Sequence, residues 1–361
     1  MPDAIQVTRP YLPPLEEFLD KVRAIYQRNI LTNGGPESAL LEQRLRSFLG
    51  VGRLAFVSNG TMALQLALRA LEIGSGEIIT TPFSYVATVS AILWERCRPV
   101  FADIDPSTFN IDPARIEQAI SPATRAILPV HVFGHPCDMD AIEEIAARHS
   151  LPVIYDAAHA FGVSINGKSV CARGDVCALS FHATKPFHTM EGGACVTNDP
   201  ELARRLDLLR RFGHHGDEHF LPGINAKQDE INAAMGNLNL DHLEEITAGR
   251  RRAWELYEKI LAPEFQTRKI AANVDYNYAY FPLLFESEQK LLAGMERLRQ
   301  INAFPRRYFY PALTTLPYIG EAGACPIAED ISTRIACLPL HANLAEEDVL
   351  RICEALLEGL D

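Results

Sequence analysis

The stretch Ser180-Phe181-His182-Ala183-Thr184-Lys185-Pro186, followed by Glu191-Gly192-Gly193, places a lysine directly after an apolar run. That run, Val176-Cys177-Ala178-Leu179, predicts a buried strand. An ammonium group so close to a buried strand is costly unless it is paired or neutralised. One way to neutralise it is an imine (Schiff base) with a carbonyl compound; the alternative is a surface lysine at the end of a strand. Lys185 alone does not decide between the two.

The composition of the 361-residue chain is that of a globular protein, with 48% apolar and 22% charged residues. A net charge of −12 without a basic run argues against nucleic acid as a partner. We expect no signal peptide, because the start of the sequence has neither a charged region nor an apolar run after it, and no membrane partner, because no apolar run could span a bilayer. Eight scattered cysteines without a Cys-x-x-Cys pair predict a reducing, cytoplasmic location and no zinc site.

Strands and helices alternate along the first two thirds of the chain. The predicted strands are 54–57, 78–81, 99–101, 126–132, 152–155, 176–179 and 194–197, and the helices before, between or after them are 37–49, 62–71, 85–94, 113–120, 139–149 and 200–212. This alternation predicts an α/β fold with a mostly parallel sheet sandwiched by helices.

The pattern changes after the Gly- and His-rich loop at 213–223. A long helix at 229–261, a strand at 278–285 and helices at 289–300, 327–336 and 346–357 predict a smaller α+β portion. We therefore predict a large α/β domain at 1–250 and a small C-terminal α+β domain at 251–361.

Several chemically capable residues fall at the carboxyl ends of the predicted strands, where α/β sheets bind ligands: Gly60-Thr61, Tyr85, Asp156 and Lys185. Gly60-Thr61 lies in the turn before the predicted helix 62–71 and could bind an anion at the helix N-terminus, although many such turns hold nothing. Asp156 is either a helix N-cap or a carboxylate that keeps a pyridinium nitrogen protonated. His159 is either a satisfied polar residue or a contact for the oxygen of such a ring. These alternatives stay open at this point.

Six short motifs occur together in one order along the chain. They are 58–61 (SNGT), 82–88 (PFSYVAT), 156–159 (DAAH), 180–185 (SFHATK), 191–193 (EGG) and 223–227 (GINAK). With these motifs in this order, the chain resembles the sugar aminotransferase family of the DegT–StrS type, and the resemblance extends from about Pro36 to Leu357. The resemblance implies the aspartate-aminotransferase-like (type I) fold of pyridoxal phosphate enzymes.

The resemblance also implies a role for each motif. Lys185 would form the Schiff base with pyridoxal 5'-phosphate and, once displaced by substrate, move the proton between substrate and cofactor. The implied cofactor-binding residues are Gly60, Thr61, Tyr85, Asp156, His159, Ser180, Lys185 and Asn225, of which Asn225 would reach the neighbouring subunit of a homodimer. The implied substrate-binding residues are Lys227, Arg306, Arg307 and Tyr308.

The implied activity is transfer of an amino group from L-glutamate to a keto group of a nucleotide-linked keto-6-deoxyhexose, with dTDP as the expected nucleotide. A sugar dehydratase of the same family is one alternative. Those members resemble this chain but have histidine at the position of Lys185, so Lys185 argues against this alternative. A non-enzymatic regulator on the same scaffold is another, and Lys185, Asp156 and Ser180 argue against it. The sequence leaves open which sugar carbon receives the amine.

Overall fold

The computed structural model describes residues 4–320 and 323–358. Its main sheet has seven strands, which we number β1 (Arg53–Val57), β2 (Glu77–Thr80), β3 (Arg98–Phe101), β4 (Thr124–Leu128), β5 (Ile154–Asp156), β6 (Val176–Ser180) and β7 (Gly193–Thr197). Parallel bridges from Ile127 to Val153 and from Val130 to Asp156 join β4 to β5, so the spatial order is β1-β7-β6-β5-β4-β2-β3. All pairs are parallel except those of β7, which runs antiparallel to β1 and β6.

Both faces of this sheet are buried. Along β6, Val176 and Ala178 belong to one buried cluster, whereas Cys177 and Leu179 belong to another. This separation follows from the strand geometry, because successive side chains point to opposite faces. Helices contribute to both clusters, so the apolar runs of the sequence correspond to strands covered on two sides. The predicted sandwich is confirmed.

The described residues form twelve α-helices: Leu15–Arg28, Pro36–Leu49, Gly60–Ala70, Ala87–Trp94, Pro113–Ala119, Met139–His149, Pro200–Leu209, Glu230–Asp241, Leu243–Leu261, Glu288–Gln300, Pro326–Arg334 and Glu346–Leu357. None of them is long and apolar enough to cross a membrane. All eight cysteines of the chain are free and buried, as expected for cysteine acting as a small apolar residue.

The C-terminal portion contains its own antiparallel pair, Phe281–Leu284 with Ile335–Leu338. The remaining short strands pair as Ile5–Gln6 with Ala303–Phe304, Ser164–Ile165 with both Lys168–Ser169 and Val274–Asp275, and His214–His215 with Glu218–His219. The strand Ile5–Gln6 near the N-terminus therefore pairs with the C-terminal portion rather than with the main sheet. The proposed boundary near Arg250 falls inside the helix Leu243–Leu261 and stays a prediction.

Several element predictions were wrong in their extent: among them, the strand predicted at 126–132 is Thr124–Leu128, and the helix predicted at 200–212 ends at Leu209. The predicted helix 229–261 is two helices, because His242 (φ −100°, ψ 8°) departs from helical geometry between them. The predicted helix 327–336 ends at Arg334, and the strand predicted at 278–285 begins only at Phe281. Pairing between these two segments overrides local preference there, as is usual for strands. The helix Leu15–Arg28 was not predicted.

Candidate active site

A cavity of about 260 Å³ lies where β1, β2, β5 and β6 end. The predicted residues that line it are Gly60, Thr61, Tyr85, Asp156, His159, Ser180, Lys185, Arg306 and Tyr308. The structure therefore brings together residues spread over almost 250 positions of sequence. For the first seven residues the assembly follows from the sheet, because the carboxyl ends of its parallel strands meet at one edge, whereas Arg306 and Tyr308 come from the C-terminal portion.

The loop that carries Lys185 is anchored on both sides by buried phenylalanines. The rings of Phe181 and Phe187 meet edge to face at 5.0 Å, and Phe187 stacks on Phe161 at 4.4 Å. The backbone N–H of Phe181 donates to the carbonyl of Gly192, which ties the loop to the start of β7. The backbone at Lys185 is thus positioned by the packing of the residues on either side of it.

Lys185 is partly buried in the wall of the cavity. Its Nζ donates to the hydroxyl oxygen of Tyr280 at 3.3 Å. Loss of hydration lowers the pKa of Lys185 to about 8, against the raising influence of the Asp156 charge. A substantial fraction of this side chain is therefore a neutral, nucleophilic amine near pH 8, which is the form that attacks carbonyl carbons.

Asp156 ends β5 with its carboxylate buried beneath the cavity. Its Oδ2 accepts from Thr88 Oγ1 at 2.8 Å, and its Oδ1 accepts from the backbone N–H of Ala158 at 3.1 Å. Burial raises the pKa of Asp156, while these two hydrogen bonds and the charge of Lys185 oppose that rise. The carboxylate has no arginine partner in the described part of the chain. It is therefore available to bind a cationic group of a ligand in the cavity.

His159 lies in the cavity within an aromatic wall. Its imidazole stacks on Phe309 at 5.5 Å and meets Tyr280 edge to face at 5.0 Å. Burial, with the nearby charge of Lys185, lowers the pKa of His159 well below its ordinary value, so the ring is neutral. Its Nδ1 is buried without a hydrogen-bond partner. A buried polar atom without a partner is costly, and a ligand hydroxyl could satisfy it.

The turn after β1 ends in the N-terminus of the helix Gly60–Ala70. The side chain of Asn59 caps this helix by accepting from the N–H of Met62 at 2.8 Å. A β-carbon on Gly60 would lie 2.8 Å from the Cβ of Ser180, and one on Gly193 would lie 2.5 Å from the carbonyl carbon of Asn59. Both glycines are thus needed for the turn to reach β6 and β7. Free N–H groups and the helix dipole favour an anion at this end of the cavity.

Three predicted residues lie outside the cavity lining. Arg307 donates through Nη2 to Glu288 Oε1 at 2.6 Å and to the carbonyl of Thr333 at 2.7 Å, and it stacks on Tyr310. Lys227 donates to Asn225 Oδ1 at 2.7 Å, and the side chain of Asn225 is exposed. Within one chain, therefore, these three side chains do not reach the space next to Lys185.

Sequence reasoning gave no role to three further residues that line the cavity, Ser84, Thr88 and Tyr280. Thr88 and Ser84 line the cavity, and their hydroxyls are 2.9 Å apart. Both lie in the motif 82–88, so their spacing from Tyr85 could have drawn attention to them. Tyr280 could not have been found this way, because it comes from a segment 95 residues after Lys185 and no local pattern marks it.

An amine and a buried carboxylate near a helix N-terminus, at the edge of a mostly parallel sheet, are the arrangement that the resemblance to the aspartate-aminotransferase-like class implies. A model of the DegT/DnrJ/EryC1/StrS aminotransferase family matches residues 15–357. The chain belongs to this family of sugar aminotransferases, and the predicted type I fold is confirmed.

Two curated relatives and one solved structure illustrate the similarity. The chain is 43% identical to a dTDP-4-amino-4,6-dideoxy-D-glucose transaminase of Shigella dysenteriae, over 99% of this chain and 100% of that one. It is 41% identical to an Escherichia coli protein of the same name, over 98% of both chains. The structure of DesI in the presence of its TDP-sugar product is similar with a TM-score of 0.93 and 32% identity, covering 99% of this chain and 93% of that one.

Proposed function

We propose that this protein is a pyridoxal 5'-phosphate-dependent aminotransferase that moves an amino group from L-glutamate to the keto group of a dTDP-linked keto-6-deoxyhexose. The observation that carries the proposal is the cavity that joins Lys185, Asp156 and the N-terminus of the helix Gly60–Ala70. An amine, an anion and an anion-binding helix end are what a phosphorylated pyridine aldehyde requires.

The residues of the cavity fit this cofactor in detail. Its phosphate suits the helix N-terminus, with the hydroxyls of Thr61 and Ser180 beside it. Its ring hydroxyl would satisfy the unpartnered Nδ1 of His159. The exposed ring of Tyr85 (53% exposed) offers a face for stacking, and the carboxylate of Asp156 suits the protonated ring nitrogen.

When bound, pyridoxal phosphate supplies an aldehyde that takes up amines and a protonated ring that withdraws electrons from the reacting carbon. Asp156, held by Thr88 and Ala158, keeps the ring nitrogen protonated because its anion is poorly solvated and needs a cation. Lys185 holds the cofactor and later removes and returns the substrate proton, for which an amine with a pKa near 8 is well matched.

The substrate side of the cavity contains Arg306 and Tyr308, whose guanidinium and ring are 5.1 Å apart. A guanidinium suits a diphosphate and an aromatic ring suits a nucleobase or a sugar face. The two curated relatives are both named for an amine at carbon four of a 4,6-dideoxyglucose. We therefore propose a dTDP-linked 4-keto-6-deoxyhexose as the amino acceptor.

We further propose a homodimer with shared active sites, in the cytoplasm. Asn225 and Lys227 lie outside the cavity of their own chain, so a role in catalysis requires that they reach a neighbouring one. Large apolar side chains are exposed, as an interface would need: Tyr26, Ile30, Leu31, Trp94, Phe212, Phe220 and Ile224. Eight free cysteines suit a reducing compartment.

The proposal is tested by loading the purified protein with pyridoxal phosphate and adding L-glutamate. We expect loss of the yellow absorbance with formation of 2-oxoglutarate, and then an amino sugar by mass spectrometry when the dTDP-linked 4-keto-6-deoxy sugar is added. UDP- and GDP-linked analogues should react more slowly. A deoxygenated product without nitrogen would support the dehydratase instead, and no spectral change with any amino acid would contradict an aminotransferase.

A further inference from the structure

We propose that Tyr280 is a further catalytic residue, whose hydroxyl holds the amine of Lys185 in place and stabilises its protonated form. The inference rests on the proposed function, in which Lys185 carries the proton. Tyr280 lines the cavity, and its hydroxyl oxygen is 3.3 Å from Lys185 Nζ. It is the hydrogen-bond partner of that atom in the described part of the chain, where no carboxylate pairs with Lys185.

The ring of Tyr280 is held on several sides. It meets Tyr308 at 5.6 Å with an interplanar angle of 87° and His159 at 5.0 Å with an angle of 74°. A third aromatic ring, Phe133, lies 5.8 Å away. With only 5% of its surface exposed, the side chain has little freedom to swing away from Lys185.

The backbone before Tyr280 is held by a buried arginine. Arg250 donates through Nε to the carbonyl of Tyr278 at 2.9 Å and through Nη2 to the carbonyl of Ala279 at 2.7 Å. A cation buried to this degree is costly, and here it fixes the two residues that precede the tyrosine. The position of the hydroxyl is therefore set both through the ring and through the main chain.

The chemistry of the pair follows from the two protonation equilibria. Burial raises the pKa of Tyr280, so the phenol keeps its proton throughout the working range. When Lys185 is a neutral amine, the phenol can donate to its lone pair; when Lys185 has taken the proton from substrate, the phenol oxygen accepts one of the ammonium N–H groups. Tyr280 neither gains nor loses a proton overall. Its effect is to orient Nζ and, because the bond from the charged ammonium is stronger than the bond to the neutral amine, to raise the basicity of Lys185 above what burial alone would allow.

The first test uses the protein without cofactor. The rate at which an amine-specific acylating reagent labels Lys185, followed by mass spectrometry as a function of pH, reports the pKa of that amine. In Tyr280→Phe we expect the midpoint to fall by roughly one unit, because the bond to the ammonium form is lost while burial remains. The matched control is Tyr276→Phe, which removes an equally buried hydroxyl that donates to the carbonyl of Phe133 at 2.6 Å, outside the cavity. Its midpoint should equal that of the wild type.

The second test uses the loaded enzyme. Tyr280→Phe should lower kcat by about 10- to 100-fold with little change in the KM for the sugar nucleotide, whereas Tyr276→Phe should retain wild-type kcat. An unchanged labelling midpoint together with an unchanged kcat in Tyr280→Phe would overturn the inference. Failure of the proposed function would look different, because the wild type itself would then transfer no amine while the labelling experiment would still report on Tyr280.

Discussion

The hydroxyl of Thr88 donates to the carboxylate of Asp156 at 2.8 Å, and both side chains are buried. Thr88 lies in the first turn of the helix Ala87–Trp94, whereas Asp156 ends the strand β5. Ser84, at 2.9 Å from Thr88 Oγ1, completes a chain of three buried groups. The carboxylate at the centre of the proposed chemistry is therefore oriented by a helix that begins two residues after Tyr85, for which we propose stacking on the cofactor.

Replacing Thr88 with valine keeps the shape of the side chain and removes its hydrogen bond. Because burial raises the pKa of Asp156 and the Thr88 bond opposes that rise, the pKa should increase in Thr88→Val. In the proposed mechanism the ionised carboxylate is the active form, so the acidic limb of the kcat/KM profile should move to higher pH. At the lowest pH where the wild type still reaches its full kcat/KM, the variant's kcat/KM should be about 10-fold lower.

Thr80→Val is the control for this change, because it removes an equally buried hydroxyl. That hydroxyl lies outside the cavity lining and donates to the carbonyl of Leu128 at 2.7 Å. Its pH profile should match the wild type. Identical acidic limbs for Thr88→Val and the wild type would show that the Thr88 bond has no part in tuning Asp156.

Replacing Gly60 with alanine should weaken the phosphate end of the cavity. The added Cβ would lie 2.8 Å from the Cβ of Ser180, so the turn must move away from β6. We expect the dissociation constant of pyridoxal phosphate, measured by fluorescence titration, to rise about 10-fold or more. In Gly52→Ala the nearest atom would be 3.8 Å away, so this control should bind normally. Unchanged affinity in Gly60→Ala would place the phosphate elsewhere.

Arg306 and Arg307 are adjacent in sequence, yet the structure predicts different consequences for their loss. Arg306 lines the cavity, so Arg306→Ala should raise the KM for the sugar nucleotide by roughly 10-fold or more with a smaller effect on kcat. Arg307 binds Glu288 and a backbone carbonyl, so Arg307→Ala should lower the melting temperature and leave KM near the wild-type value. A rise in KM for Arg307→Ala alone would reverse this assignment.

A shared active site predicts complementation between two damaged subunits. Lys185→Ala and Asn225→Ala should each be strongly impaired as homodimers. After the two are mixed and reassociated, random pairing gives hybrids with one intact site, and activity should recover to about a quarter of the wild type. A mixture no more active than its components, with hybrid formation verified by native mass spectrometry, would mean that Asn225 acts within its own chain.

Local patterns were enough to predict the layered sheet and the residues at its carboxyl edge. In the strand Val176–Ser180, the four residues 176–179 are all apolar and are buried on both faces of the sheet. This apolar run made the burial of the strand predictable from the sequence. The end of the helix at Arg334 was not predictable, because the strand that follows exists only by pairing with Phe281–Leu284. Local propensity does not record such long-range partners.

The same distinction applies to the site. Asp156 and Lys185 could be singled out because a charge at the end of an apolar strand is unusual in itself. Tyr280 is an ordinary tyrosine beside an apolar segment, and only tertiary packing brings its hydroxyl to Lys185. Arg307 shows the reverse case, since a basic pair in sequence does not reveal that one member is bound to Glu288.

The most direct test of the central claim is borohydride reduction of the protein loaded with pyridoxal phosphate, followed by peptide mass spectrometry. The account predicts that the cofactor becomes permanently attached to Lys185 and that prior addition of L-glutamate prevents this labelling. Attachment to a different lysine, or a yellow protein in which residue 185 stays unmodified after reduction, would contradict it.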